Sequence, residues 1–250
     1  MRKVWGEFFK QPIDPIPWHS AQEVQKQFKD WFFSSEWYEV YDFLEFIIQV
    51  DEFLYEKSGK LFLQCGDFGT RTVRWPFEIE LFKHDCNLVL EKELSGYRFV
   101  GNEVGPITSK VEVAEIEQAL ETTGKYNLTG VNRHFESALE KLSDRKNPDY
   151  RNSIKESISA VESISIIIAK DPKVTLGQAL KKIKDKIGLH AALERGFSAI
   201  YGYTSDEGGI RHAMIDETTC DFEDAKYMLV TCSAFVNYLI MKANKAGLIE

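Results

Sequence analysis

With 250 residues, 44% of them hydrophobic and 28% charged, the chain has the composition of a soluble globular protein. It is long enough for one large domain or two modest ones, each with a core of its own. No apolar run approaches the roughly 20 residues of a membrane span, and the N-terminus MRKVWGEFFKQP lacks the apolar stretch of a secretory signal, so no membrane partner and a cytoplasmic location are expected.

The net charge of -8 is unevenly held. Residues 1–128 carry 14 Lys/Arg against 22 Asp/Glu, whereas residues 129–250 carry 17 against 17. An acidic first half argues against non-specific binding of duplex DNA, which depends on neutralising phosphates. The neutral second half, with basic clusters such as KKIKDK (181–186), leaves room for a short RNA or a nucleotide. The asymmetry also points to two domains, 1–128 and 129–250. Cys65, Cys86, Cys220 and Cys232 show no close-pair spacing and are expected as reduced thiols rather than a zinc site.

In chain order, residues 20–57 are aromatic-rich and helical by period, with Trp37, Tyr41, Leu44 and Ile48 three to four residues apart. After two glycine-containing breaks, PFEIELFKHDCNLVLEKELSG predicts a helix with Pro76 in its first turn and Gly96 closing it. YRFVGNEVGPIT carries the signal of a short β-hairpin turning at Gly101-Asn102. SKVEVAEIEQALETTG predicts a helix capped by Ser109 and stopped by Gly124.

From about residue 129 the pattern is helical throughout. TGVNRHFESALEKLSD leads to a helix with Asn147 as its N-cap and Pro148 at its first position, and Ile154, Ile158, Val161, Ser165 and Ile168 on one face. TLGQALKKIKDK and LHAALERGFSAIYG are two further helices. The last, opened by Asp221, has a core stripe of Phe222, Ala225, Leu229, Cys232, Val236 and Leu239. The fold class is therefore mainly α: a C-terminal bundle of four to five helices, and an N-terminal helical domain carrying a small β-hairpin.

No G-x-S-x-G elbow and no glycine-rich phosphate loop occurs. The segment YGYTSDEGGIRHAMIDE (201–217) is the strongest candidate site. Gly208 and Gly209 allow its backbone to approach a ligand closely, Arg211 can hold a phosphate, and His212 can act as acid or base near neutral pH. Asp206 lies among the carboxylates of the loop. The alternative is a solvated turn whose Arg and His pair with local acids. Glu162, in the middle of an apolar helix, calls for a cationic partner, and Arg211 or His212 fits that need if the loop folds over this helix. Arg151, on the same helix, is expected to line the shared cleft with Glu162.

These residues carry a family resemblance. SDRKNPDYRNSIKESISAVESI, TLGQALKKI, YGYTSDEGGIRHA and DFEDAKYMLVTCSAFVNYL resemble the C-terminal domain of AbiJ-type abortive-infection proteins, in the HEPN superfamily (higher eukaryotes and prokaryotes nucleotide-binding). FFKQPIDPIP, WYEVYDFLEFI and SGYRFVGNEVGPITS resemble an N-terminal domain attached to that family. The chain begins abruptly at a helix, which leaves room for an upstream segment carried by other members.

The resemblance implies a bacterial anti-phage role and a helical bundle that forms a homodimer through the C-terminal half. It also implies metal-independent RNA cleavage. The family signature is an Arg followed, after four to six residues, by a His in the loop before the last helix. His212 occupies the His position, but Ser205, Asp206 and Glu207 stand where the Arg would fall. Two functions follow. One is a ribonuclease with His212, Arg211 and Glu162 catalytic and Gly208, Gly209, Asp206 and Arg151 meeting the substrate. The other is a non-catalytic module that binds RNA, a nucleotide or a protein. Neither requires a cofactor, and no spacing offers a metal site.

Overall fold

The computed structural model describes residues 7–10, 21–58, 79–205 and 220–249. Contacts divide the chain into two compact units, residues 1–93 and 94–250.

The first unit contains α1 (Ala21–Ser34), α2 (Trp37–Ser58) and α3 (Ile79–Lys92). The stretch expected as one helical region is broken at Ser35-Glu36. There the Ser35 hydroxyl donates to the Trp31 carbonyl at 2.8 Å, and the Glu36 N–H donates to the Glu39 carboxylate at 2.9 Å to open the next helix. Aromatic density explains the packing. Phe43, buried on α2, gathers the rings of Phe8, Phe28 and Trp31 with centroids 4.9, 5.1 and 5.0 Å away. Such tilted and edge-on pairs are favoured by the ring quadrupole. The α3 helix ends at Lys92, and the left-handed residue after it is Leu94 (φ 55°), not the expected Gly96; Pro76 lies outside the described residues.

The second unit opens with the expected hairpin, β1 (Arg98–Val100) and β2 (Glu103–Gly105), antiparallel with Val100 opposite Glu103. Gly101 has φ +57° and Asn102 does not share it, which suits a two-residue turn with glycine first. Phe99, Val100 and Val104 are buried, and Arg145 donates to the Val104 carbonyl at 2.8 Å.

Six helices follow: α4 (Lys110–Lys125), α5 (Thr129–Ser143), α6 (Tyr150–Ala169), α7 (Leu176–Ile187), α8 (Ala191–Ser205) and α9 (Phe222–Lys245). α6 and α9 form the centre, α5 packs on α6, α4 packs on α9 and α5, α7 on α6, and α8 on α7. The mainly helical class holds, and the hairpin is the sole sheet among the described residues. The predicted faces are buried, Ile154, Ile158, Val161, Ser165 and Ile168 on α6 and Ala225, Leu229, Cys232, Val236 and Leu239 on α9, except Phe222 at the start of α9, which is half-buried. Buried serines on α6 are satisfied by the backbone, Ser165 donating to the Val161 carbonyl at 2.7 Å and Ser153 to the Ala138 carbonyl at 2.7 Å.

Two helix ends differ from expectation. Asp149, not Asn147, caps α6, accepting from the Asn152 N–H at 3.0 Å. Asn147 instead donates its N–H to Asp144 at 2.9 Å, so Pro148 precedes the cap. α4 runs one residue past Gly124, and Asn127 (φ 53°) takes the left-handed position beyond it. Ser109 and Asp221 cap α4 and α9 as predicted.

Candidate functional site

Asp206, Gly208, Gly209, Arg211 and His212 all lie outside the described residues. The frame around them is described. Tyr150 at the start of α6 meets Phe222 at the start of α9, ring centroids 6.2 Å apart, so these packed helices begin at the same end of the unit. At the other end, a Cβ on Gly188, just past α7, would sit 3.8 Å from the Lys242 ammonium near the end of α9. α8 starts three residues later, and its Phe197 stacks on Phe235 of α9. α8 packs on α7 and meets α9 through Phe197, and in sequence segment 206–219 lies between α8 and the start of α9.

That end is acidic. Asp221 accepts from the Asp224 N–H at 3.0 Å, and Asp221 and Glu223 flank the Tyr150 phenol. Burial, then the neighbouring Tyr97, Glu223 and Asp221, raise the Tyr150 pKa above its ordinary value of 10.0. Lys226, over the Phe222 ring at 5.9 Å, is also paired with Glu112 at 3.4 Å.

The two described candidate residues, Arg151 and Glu162, are both half-buried on α6. Eleven residues turn an α-helix three times plus about 20°, so they share one stripe, yet they stand about 16 Å apart along the axis. One imidazole cannot touch both. Arg151 belongs to the end where α9 begins, whereas Glu162 stands near the level where Phe197 meets Phe235. Glu162 has no hydrogen-bond or ion-pair partner among the described residues, and its partial exposure leaves water to solvate it.

One charged contact escaped the sequence reasoning. His134 Nδ1 lies 2.7 Å from Glu156 Oε2, joining α5 to α6 on a half-buried flank. No spacing rule pairs residues 22 apart, and the only available signal was that both sit at the polar edge of helices whose apolar faces meet. Among the cysteines, Cys232 is fully buried and burial raises its thiol pKa, so it is core material. Among the described residues no group of His, Cys, Asp or Glu is placed to hold a metal, and no helix is long and apolar enough to cross a membrane.

In comparison with known proteins, a family model matches residues 3–122. No curated protein and no solved structure matched. The matching family model is described as AbiJ N-terminal domain 4, and residues 3–122 are similar to it.

Proposed function

We propose that the protein is an abortive-infection factor that acts in bacterial anti-phage defence, with its C-terminal helices as a HEPN-like effector that cleaves RNA. The match of residues 3–122 to the AbiJ N-terminal domain carries the defence assignment. The effector assignment rests on the helical C-terminal half and on the Gly-Gly-Ile-Arg-His run at 208–212 before the last helix. In this mechanism His212 takes the proton of the 2′-hydroxyl as its oxygen bonds to phosphorus, Arg211 faces the negative charge on the non-bridging phosphoryl oxygens, and the 5′-oxygen leaves with a proton from solvent, giving a 2′,3′-cyclic phosphate. Arg151 is the cation of α6 nearest the start of α9 and would hold a flanking phosphate. Glu162, three turns away, would orient the loop rather than share a proton with it. A homodimer formed through the C-terminal half, in the cytoplasm, would bring two such loops into one assembly.

The rival function is a non-catalytic binding module. Ser205-Asp206-Glu207 favours it, because two carboxylates stand where a phosphate-binding cation is needed. Expression of the wild type and of His212→Ala in a bacterial host separates the two. The nuclease predicts growth arrest relieved by the substitution, and cleavage of RNA by the purified protein that persists in EDTA and falls at least ~10²-fold in the variant. Arrest unchanged by His212→Ala, with intact RNA, would leave the binding module.

A further inference from the structure

We propose that the outward side of α9 docks a second copy of this chain, the two helices lying antiparallel about a two-fold axis at Ala234. This gives a surface to the homodimer named above, and it takes nothing from the chemistry of segment 206–219.

The inner face of α9 is the buried stripe from Ala225 to Leu239, and both its sides are held by neighbours. On one side Asn237 donates to Glu115 of α4, and on the other Phe235 stacks on Phe197 of α8. Between those sides runs a second stripe of Tyr227, Val230, Ala234, Tyr238 and Met241, three or four residues apart and so along one line of the helix. Tyr227 is 59% exposed and Met241 51%, Ala234 is exposed, and Val230 and Tyr238 are half-buried. No charged side chain occurs from Tyr227 to Met241, a length of about four turns. The exposed positions of α5, by contrast, include Arg133, Glu136 and Glu140. A long outward stripe without charge marks a face that another surface covers.

The stripe is its own complement under an antiparallel two-fold. Ala234 lies on the axis, where its small side chain lets the two helix axes approach to about 8–10 Å. Positions equally far from Ala234 then face each other. Tyr227 meets Met241 of the other copy, a ring against a thioether, and Val230 meets Tyr238. The stripe continues to Glu223 and Lys245, both exposed, 11 residues either side of Ala234 and neither ion-paired among the described residues. The two-fold sets each Glu223 against a Lys245. Asp224 and Lys242 share one edge of the stripe, five whole turns apart, and the same operation brings them together. Lys226, on the opposite edge, pairs with Glu112 of its own chain. A parallel pair would place Glu223 on Glu223 and Lys245 on Lys245, so charge selects the antiparallel one. The first residues of the two α9 helices would stand about 36 Å apart, at opposite ends of the pair.

The test is sedimentation velocity of the full chain from about 1 to 100 µM, across which a self-associating protein passes from monomer to dimer by mass action. Ala234→Glu puts two carboxylates on the axis and should leave a monomer throughout. Thr129→Glu, at an exposed position of α5, should dimerise as the wild type does. Glu223→Lys and Lys245→Glu should each raise Kd about fivefold at low salt, and the two together should restore it. Oxidised Ala234→Cys should give a covalent dimer in which both bridging peptides carry position 234. Far-UV circular dichroism checks that each variant is folded; if Ala234→Glu is not, the charge exchange and the cross-link decide. A wild type still monomeric at about 100 µM would overturn the proposal. So would a dimer indifferent to Ala234→Glu, or a charge exchange that recovers nothing. Cleavage of RNA by a monomeric wild type would remove this surface and leave the loop, whereas a dimer of this kind without cleavage would keep the surface and remove the nuclease.

Discussion

Two glycines of the second unit should respond to the same substitution with opposite signs. Gly101 turns the hairpin at φ +57°, and an alanine Cβ there would meet Leu120 Cδ1 at 2.9 Å and Leu139 Cδ2 at 3.6 Å. The left-handed backbone costs an alanine about 1–2 kcal/mol, and forcing a methyl against a packed neighbour about 1–3 more. A less flexible unfolded chain returns about 0.4–1 kcal/mol. Leu120 is only partly buried and can swing, so the lower end applies and Gly101→Ala should destabilise by about 2 kcal/mol. Gly196 lies inside α8, and an alanine Cβ there would meet nothing within 4 Å, so the substitution should stabilise by up to about 1 kcal/mol. Urea unfolding followed by far-UV circular dichroism checks both. With a slope of about 2 kcal/mol per molar, the midpoints should move about 1 M down and up to about 0.5 M up. All five tryptophans lie in residues 1–93, so their fluorescence follows the first unit and serves as the internal reference. Shifts of the same sign, or a Gly101→Ala midpoint equal to wild type, would refute the argument from local geometry.

The thiols should separate by reactivity. Burial, then the neighbouring Asp85, pushes the Cys86 thiol up to about 11, so its alkylation by iodoacetamide should be slow at about pH 8 and accelerate about tenfold per pH unit toward 11. Cys232 should stay unmodified until urea unfolds the chain, as peptide mass spectrometry would report; early labelling of Cys232 would contradict its place in the core. Asp144 accepts the N–H groups of Asn147 and Lys146, which hold its carboxyl below the usual 3.8. Its pKa is depressed by folding, so its contribution is present at neutral pH and is lost as pH falls from about 4 through the lowered folded value. Asp144→Asn should flatten the acid limb of the stability curve in that window, and an unchanged limb would show that the carboxylate contributes nothing.

Much of the second unit was legible because its helices are amphipathic and buried on one side. The stripe from Ile154 to Ile168 and the one from Ala225 to Leu239 follow directly from period. Caps were legible where side chain and spacing agree, as at Asp221 with Asp224 three residues on. At α6 two cap candidates, Asn147 and Asp149, sit two residues apart. Composition could not choose between them; the Asp144 carboxylate did, by taking the Asn147 N–H. Helix ends with non-glycine left-handed residues, Leu94 and Asn127, were hidden because propensity points to the nearby glycines instead. The site was the least legible part. The mid-helix Glu162 drew attention to α6, but only the length of that helix shows that Arg151 stands about 16 Å from it.

The match to the AbiJ N-terminal domain and the packing of the chain do not end at the same place, and the difference has a physical content. The match runs to residue 122, whereas the first compact unit closes at Glu93. Between these points lie the hairpin and most of α4, which fall within the matched region by sequence and within the helical bundle by contact. Ile116 and Ala119 on α4 are fully buried against the bundle core, and Asn237 on α9 donates to the Glu115 carbonyl at 3.1 Å and its carboxylate at 3.2 Å. Separated after residue 122, the bundle would lose a wall and leave the Asn237 amide unpaired, a cost of about 1–3 kcal/mol for the polar group alone. The region similar to the AbiJ N-terminal domain therefore supplies one helix of the bundle's own core. Any change in that domain that moves α4 acts on α9, the helix that segment 206–219 leads into.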